Sequence, residues 1–236
     1  DAMTEASLSD RVWALFDAGR VDDAVRLLED GCGAGDADAL FMLATWYLSG
    51  QGVGRDLGEA AALLRAAVTA GHGDAALMEI ALTANGAFGP PDWLRARTLL
   101  DEAAQTDDVA AHHRALLEAM ALDKDGNPAT MPTPDRLSDA PSVQFYRGLV
   151  TAEECAHIIA VAEPMMEPSF VVDPASGRHM ANPVRTSDGT VIGPAREDLV
   201  IRAINKRLAA ASDTDVLQGE TLSVLRYAPG QQYRMH

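Results

Sequence analysis

Two periodicities divide this chain. Up to about residue 122 the apolar positions recur every three or four residues. The runs "LSDRVWALFDAG", "VDDAVRLLED", "ADALFMLATWYLSG", "LGEAAALLRAAVTAG", "DAALMEIALTANG", "DWLRARTLLDEAA" and "VAAHHRALLEAMAL" each predict a helix with one apolar stripe. After Pro141 the period shortens and alternates with helical stretches. "SVQFYRGLV" predicts a strand, and "TAEECAHIIAVAEP" a helix with Thr151 and Glu154 as a capping box and Pro164 as its stop. "MEPSFVVD" predicts a strand, "PASGRHMANP" a loop, and "VRTSDGTVIG" an extended stretch turning at Asp188-Gly189. "AREDLVIRAINKRLAAAS" predicts an amphipathic helix, with Leu199, Ile201, Ile204 and Leu208 giving a mostly apolar stripe. "GETLSVLRYAPG" predicts a strand with Leu222 and Val224 facing one way. The class expected is α+β, with helices supporting a sheet in the second part.

The helical part carries an internal period. Leu27-Leu28, Leu63-Leu64 and Leu99-Leu100 recur every 36 residues, and so do Ala24, Ala60 and Ala96. Small alanines let paired helices approach, and a fixed register of this length signals stacked helix hairpins, a solenoid. Residues 50–71, "GQGVGRDLGEAAALLRAAVTAG", resemble a Sel1-like repeat, a relative of the tetratricopeptide repeat, through Gly50, Gly52, Val53, Asp56, Ala60, Ala66, Ala67 and Gly71. Asp56 stands where it can cap the next helix. The following copy reads as degenerate, with Gly89-Pro90-Pro91-Asp92 in place of the turn and a one-residue deletion just upstream. Residues 1–122 are therefore expected to form a Sel1-like helical repeat domain. Residues 123–140, rich in proline and polar residues, are expected to be a linker or strap.

Charge narrows the function classes. The formal net charge is −16, and residues 1–122 carry 20 acidic and 8 basic side chains against 15 and 11 in the remainder. Nucleic-acid binding needs clustered lysine and arginine, so no nucleic-acid partner is expected. No run approaches 18 consecutive apolar residues, so no membrane span is expected. Cys32 and Cys155 lie far apart and are expected to be free thiols, and the polar, acidic start lacks a signal-peptide pattern; a cytoplasmic location is expected.

The candidate chemistry lies in "LRYAPGQQYRMH". Tyr227, Gly230, Tyr233 and His236 follow a predicted strand at the spacing Y-x-x-G-x-x-Y-x-x-H. Two further residues, x-D, would make a His-x-Asp pair, the core of a 2-His-1-carboxylate Fe(II) site with three open positions. Together with "GLVTAEECAHIIAVAEP", "VRTSDGTVIG" and "LVIRAINKRLA", in that order, this stretch resembles the N-terminal half of a prolyl 4-hydroxylase catalytic domain, over about residues 148–236.

That resemblance implies an incomplete oxygenase domain over 141–236, the first part of a double-stranded β-helix or jelly roll. It implies Fe(II), 2-oxoglutarate and O₂ as cofactors, with ascorbate as a further candidate, and a proline-containing protein or peptide as substrate. The helical repeats would bind that substrate or a protein partner. By position, His236 matches the first iron ligand, Tyr227 a tyrosine beside the 2-oxoglutarate pocket, and Tyr233, Arg185 and Ser187 residues beside the peptide. The residues alone leave other roles open: a strand-end core aromatic for Tyr227, packing near the turn for Tyr233, a surface ion pair for Arg185, turn chemistry for Ser187. His157 is expected on a helix surface, and His179 in a loop, solvated or in contact with the peptide. The other iron ligands and the basic 2-oxoglutarate clamp have no counterpart here, so the fragment by itself is expected to be inactive. The competing expectation is a repeat-based interaction scaffold with a truncated or degenerate oxygenase module.

Overall fold

A computed structural model describes residues 6–182 and 184–235. It is mixed α+β with a helical N-terminal part, and it divides into two compact units, Asp1–Ala115 and Leu116–His236. Among the described residues, no helix is long and apolar enough to cross a membrane.

The first unit is a run of antiparallel helices: α1 (Leu8–Asp17), α2 (Val21–Gly33), α3 (Ala37–Ser49), α4 (Leu57–Thr69), α5 (Gly73–Asn85), α6 (Trp93–Ala103) and the start of α7 (Asp108–Ala119). The 36-residue period marks equivalent places on α2, α4 and α6. Ala24, Ala60 and Ala96 are fully buried, as are Leu28, Leu64 and Leu100 one turn later, so each helix presents the same small-then-large ridge to its neighbours. The turns repeat as well. α3 and α5 end on Gly50 and Gly86 in the left-handed conformation. Six residues later Asp56 and Asp92 cap α4 and α6, with side chains accepting from Glu59 N at 3.0 Å and Arg95 N at 2.9 Å. Their own backbone N–H groups donate back to Tyr47 O and Thr83 O, each at 3.0 Å. The Gly89-Pro90-Pro91 turn is therefore as long as its predecessor. The deletion expected upstream of it is absent, because the two prolines alter the path of the turn and not its length.

The core of this unit closes at its N-terminal end on Trp46. Val12, Ala24, Leu28, Ala39 and Leu43 bury it, and Trp13 and Phe16 pack around its ring with centroids at 6.1 and 5.4 Å. Further along, the buried Glu79 carboxylate accepts from Arg65 Nε at 3.3 Å, which satisfies an acid facing the inter-helix contact.

The second unit holds strands β1 (Asp135–Asp139) and β2 (Ser142–Phe145), helix α8 (Ala152–Ala162), strands β3 (Glu167–Pro168), β4 (Phe170–Val172), β5 (His179–Ala181) and β6 (Asp188–Ile192), helix α9 (Leu199–Ser212) and strand β7 (Leu222–Arg226). The strands pair as β1–β2, as β4–β5 and as a three-stranded antiparallel sheet in the order β3–β6–β7. Three expectations change here. The end of the stretch expected as a linker is β1, paired with β2 across a hairpin. "PASGRHMANP", expected as a loop, supplies β5, in register with β4 from Phe170–Ala181 to Val172–His179. Asp188-Gly189, expected as a turn, lies inside β6 opposite Arg226 and Leu225. Glycine is needed there for close approach: a Cβ on Gly189 would stand 2.8 Å from Leu225 Cδ2.

Helices α8 and α9 are joined by charged and polar groups. Thr151 and Glu154 form the capping box of α8. The same Glu154 carboxylate takes both terminal nitrogens of Arg207 on α9, at 2.7 and 3.0 Å, and Arg207 Nη1 also donates to Leu149 O at 2.8 Å. Asp198 caps α9 by accepting from Ile201 N at 3.0 Å, and its other oxygen lies 2.8 Å from His157 Nε2. His157 is thus buried against a carboxylate 41 residues away, not set on a helix surface, because a ring between two packed helices needs a polar partner.

Candidate functional site

Four of the expected site residues, Arg185, Ser187, Tyr227 and Tyr233, lie on the segments next to β6 and β7. β7 ends at Arg226, whose guanidinium donates to Asp188 across the sheet at 2.8 Å; this bond holds Arg226 in its charged form more firmly than usual. Tyr227 follows directly and is 42% exposed. The chain then turns through Gly230, at a φ of 89°, with Gln231 N donating to Ala228 O and Ala228 N to Gln231 Oε1. It returns alongside the segment before β6. Arg185 and Tyr233 form an antiparallel bridge, Thr186 N donates to Gln232 O at 3.1 Å, and Arg234 N donates to Val184 O at 2.8 Å. The Thr186 hydroxyl also accepts from Gln232 N at 2.9 Å.

The structure therefore brings Arg185, Ser187 and Tyr233 onto neighbouring backbones, with Tyr227 at the far side of the Gly230 turn. Tyr233 is 57% exposed, while Ser187 has no exposed surface. The Ser187 hydroxyl faces inward, 3.3 Å from the Ser169 hydroxyl. His236 lies outside the described residues.

Sequence reasoning missed Ser169 and Asn182. Ser169 sits between β3 and β4, and its hydroxyl accepts from Arg185 Nε at 3.2 Å. Its backbone is clamped from both sides, with Ser169 N donating to Ser187 O and Asn182 N donating to Ser169 O. The Asn182 side-chain oxygen takes Val184 N at 2.9 Å and Arg185 N at 3.0 Å. Asn182 carries a local signal, an asparagine whose side chain takes backbone N–H groups two and three residues on. No local pattern marks Ser169, whose side-chain partners are 16 and 18 positions away.

Ser169, Arg185, Phe170, Thr190, Ser223 and Leu225 line a cleft of about 240 Å³. At its edge stands the β4–β5 hairpin, closed by Asp173, which accepts from Ala175 N and from the Ser176 hydroxyl; the latter bond holds its carboxyl below the ordinary range. On that hairpin Phe170 and His179 stack with centroids 3.9 Å apart, and Phe170, Val172 and Met180 are exposed. The cleft thus sets apolar side chains beside one cation, Arg185, one carboxylate, Glu167, and several hydroxyls. His179 is engaged with Phe170 and not simply solvated.

No family model matches the chain. It is similar to prolyl 4-hydroxylases of Arabidopsis thaliana. It is 41% identical over 100 residues to probable prolyl 4-hydroxylase 10, which takes in 42% of this chain and 34% of that protein. It is 36% identical over 130 residues to probable prolyl 4-hydroxylase 3, covering 55% and 44%. With prolyl 4-hydroxylase 1 the identity is 35% over 104 residues, covering 44% and 37%. These relatives are all named as prolyl 4-hydroxylases, and the likeness supports that family for the matched stretch. The chain spans between about a third and under half of the length of these curated relatives.

Proposed function

We propose that residues 141–236 belong to a hydroxylase of peptidyl proline that uses Fe(II), 2-oxoglutarate and O₂, with ascorbate as a supporting reductant. The observation that carries this reading is the similarity to prolyl 4-hydroxylases. It is supported by a cleft that sets an arginine and several hydroxyls beside an apolar hairpin. The jelly-roll assignment, the Sel1-like nature of the helical repeats, their binding of a protein substrate or partner and a cytoplasmic location belong to the same proposal.

The described side chains do not amount to an iron site on the three-stranded sheet. His157 is on α8 and engaged with Asp198, His179 is stacked on Phe170, and His236 is outside the described residues. What this chain's own groups contribute is the holding of the peptide. Arg185 and Tyr233 present donors to main-chain carbonyls of an extended substrate, and the exposed hairpin covers its apolar face. Tyr227 is assigned to the 2-oxoglutarate side of the turn. Ser187, being buried, acts from behind the surface. A hydroxylase of this kind uses such contacts to orient the target carbon and to keep water out, while the metal centre supplies the oxidation.

The test is turnover by the whole protein. With Fe(II), 2-oxoglutarate and ascorbate, a proline-rich peptide should gain one oxygen per modified proline, read by mass spectrometry, with succinate released in step. Succinate release driven only by a free amino acid, with every proline-rich peptide left unchanged, would remove the peptidyl part of the proposal.

A further inference from the structure

We infer that Ser169 is a positioning residue, which fixes the Arg185 guanidinium so that its two terminal nitrogens meet a carbonyl or carboxylate oxygen of a peptide in the cleft. This rests on the peptide-holding reading above.

The argument starts from the donors of one arginine. A guanidinium has five N–H donors in a rigid fork, so fixing one of them fixes the plane of all. In Arg185 the inner donor, Nε, is taken by the Ser169 hydroxyl at 3.2 Å. Its outer nitrogens have no hydrogen-bond partner among the described residues, and the side chain lines the cleft. The fork is therefore anchored at its root and open at its tips.

The anchor is itself held. Ser169 is locked by backbone bonds to Ser187 and Asn182, and Asn182 in turn holds the Arg185 backbone N–H. The hydroxyl that receives Arg185 Nε has one proton to place. The buried Ser187 hydroxyl lies 3.3 Å away, and in either sense of donation that pair satisfies a polar group with no access to solvent. Arg185, Ser169 and Ser187 thus form a short chain of hydrogen bonds running from the cleft into the interior. A flexible arginine would lose rotamer freedom on meeting a peptide; one already anchored has less to lose.

The experiment uses the full chain and two readouts. The first is solvent exchange of the Arg185 Nε–H by ¹⁵N NMR, its signal identified by its loss in Arg185→Lys. The second is binding of a fluorescein-labelled oligoproline peptide by anisotropy. Ser169→Ala should speed the exchange about tenfold and weaken peptide binding about fivefold to tenfold, as expected for losing an ordinary hydrogen bond. Ser169→Thr, which keeps the hydroxyl, should restore both. Unchanged exchange in Ser169→Ala, or equal weakening in the alanine and threonine variants, would overturn the positioning role. The underlying reading fails separately: if Arg185→Ala binds the peptide like wild type while the exchange still answers to Ser169, the anchor stands and its peptide role is removed.

Discussion

Removing Arg207 should unlock α9 from α8. In Arg207→Met the stem keeps its length and its apolar contacts, but the guanidinium is gone. Glu154 is 5% exposed at the side chain and Arg207 12%, so the remaining carboxylate cannot recover its lost bonds from water. It loses two charged hydrogen bonds, at 2.7 and 3.0 Å, and Leu149 O loses a third at 2.8 Å. Breaking a buried pair by deleting one partner costs about 3–5 kcal/mol. Thr151 N still donates to Glu154 Oε2 at 3.0 Å, which places the expectation near the lower end, about 3 kcal/mol. As a scale, Thr151→Ala, which removes the cap alone, should cost about 1 kcal/mol. The readout is hydrogen exchange of the α8 and α9 amides in a urea series, because Trp13, Trp46 and Trp93 all lie in the other unit and their fluorescence reports that unit. The double variant Glu154→Leu with Arg207→Met removes the stranded charge and should recover most of the loss. An Arg207→Met cost no larger than that of Thr151→Ala would refute the reasoning. So would a double variant as unstable as the single, since the defect would then be packing and not an uncompensated carboxylate.

Two further outcomes follow from the first unit. Gly52→Ala should cost more than about 1–3 kcal/mol, since φ there is +71° and the new Cβ would stand 2.7 Å from the buried Trp46 ring; thermal unfolding followed by tryptophan fluorescence measures it. Burial pushes the Cys32 thiol up to about 11 from 9.0, whereas Cys155 is exposed, so iodoacetamide at pH 8 should label Cys155 and leave Cys32 with a rate on the order of a hundredfold below that of an ordinary thiol. The sign carries over to stability: the folded chain holds the Cys32 proton longer than the unfolded chain, so this thiol destabilises the fold as pH rises beyond 9.0, in a chemical-denaturation series. Equal labelling of both cysteines at pH 8 would contradict it.

The parts of the molecule that were legible in the sequence are those fixed by local pattern. The leucine pairs and alanines at 36-residue spacing are the buried ridges of α2, α4 and α6, and Asp56, Thr151 and Pro164 cap or stop helices as their positions imply. What was not legible depends on partners far along the chain. β5 is only three residues long and flanked by glycine and proline, and it is a strand because β4 supplies its hydrogen bonds. Gly189 carries the chemistry of a turn, yet serves to let Leu225 approach. His157 sits in an ordinary amphipathic pattern, and Asp198, brought in by α9, gives its buried ring a polar partner. At the site, Arg185 and Tyr233 could be named from the motif, but their adjacency arises from pairing between segments nearly 50 residues apart, and the serine that anchors Arg185 lies 16 residues before it.

The shared spacing of the helical unit makes it a ruler with a fixed unit of length. Gly50 and Gly86, Asp56 and Asp92, and the paired bonds to Tyr47 and Thr83 all sit 36 residues apart. A duplication or deletion of one whole interval would return every cap and every buried alanine to an equivalent neighbour. One of any other length would shift the ridges out of step with their grooves. This part of the chain can therefore be lengthened or shortened only in whole steps, and the reach of its surface is set by counting intervals.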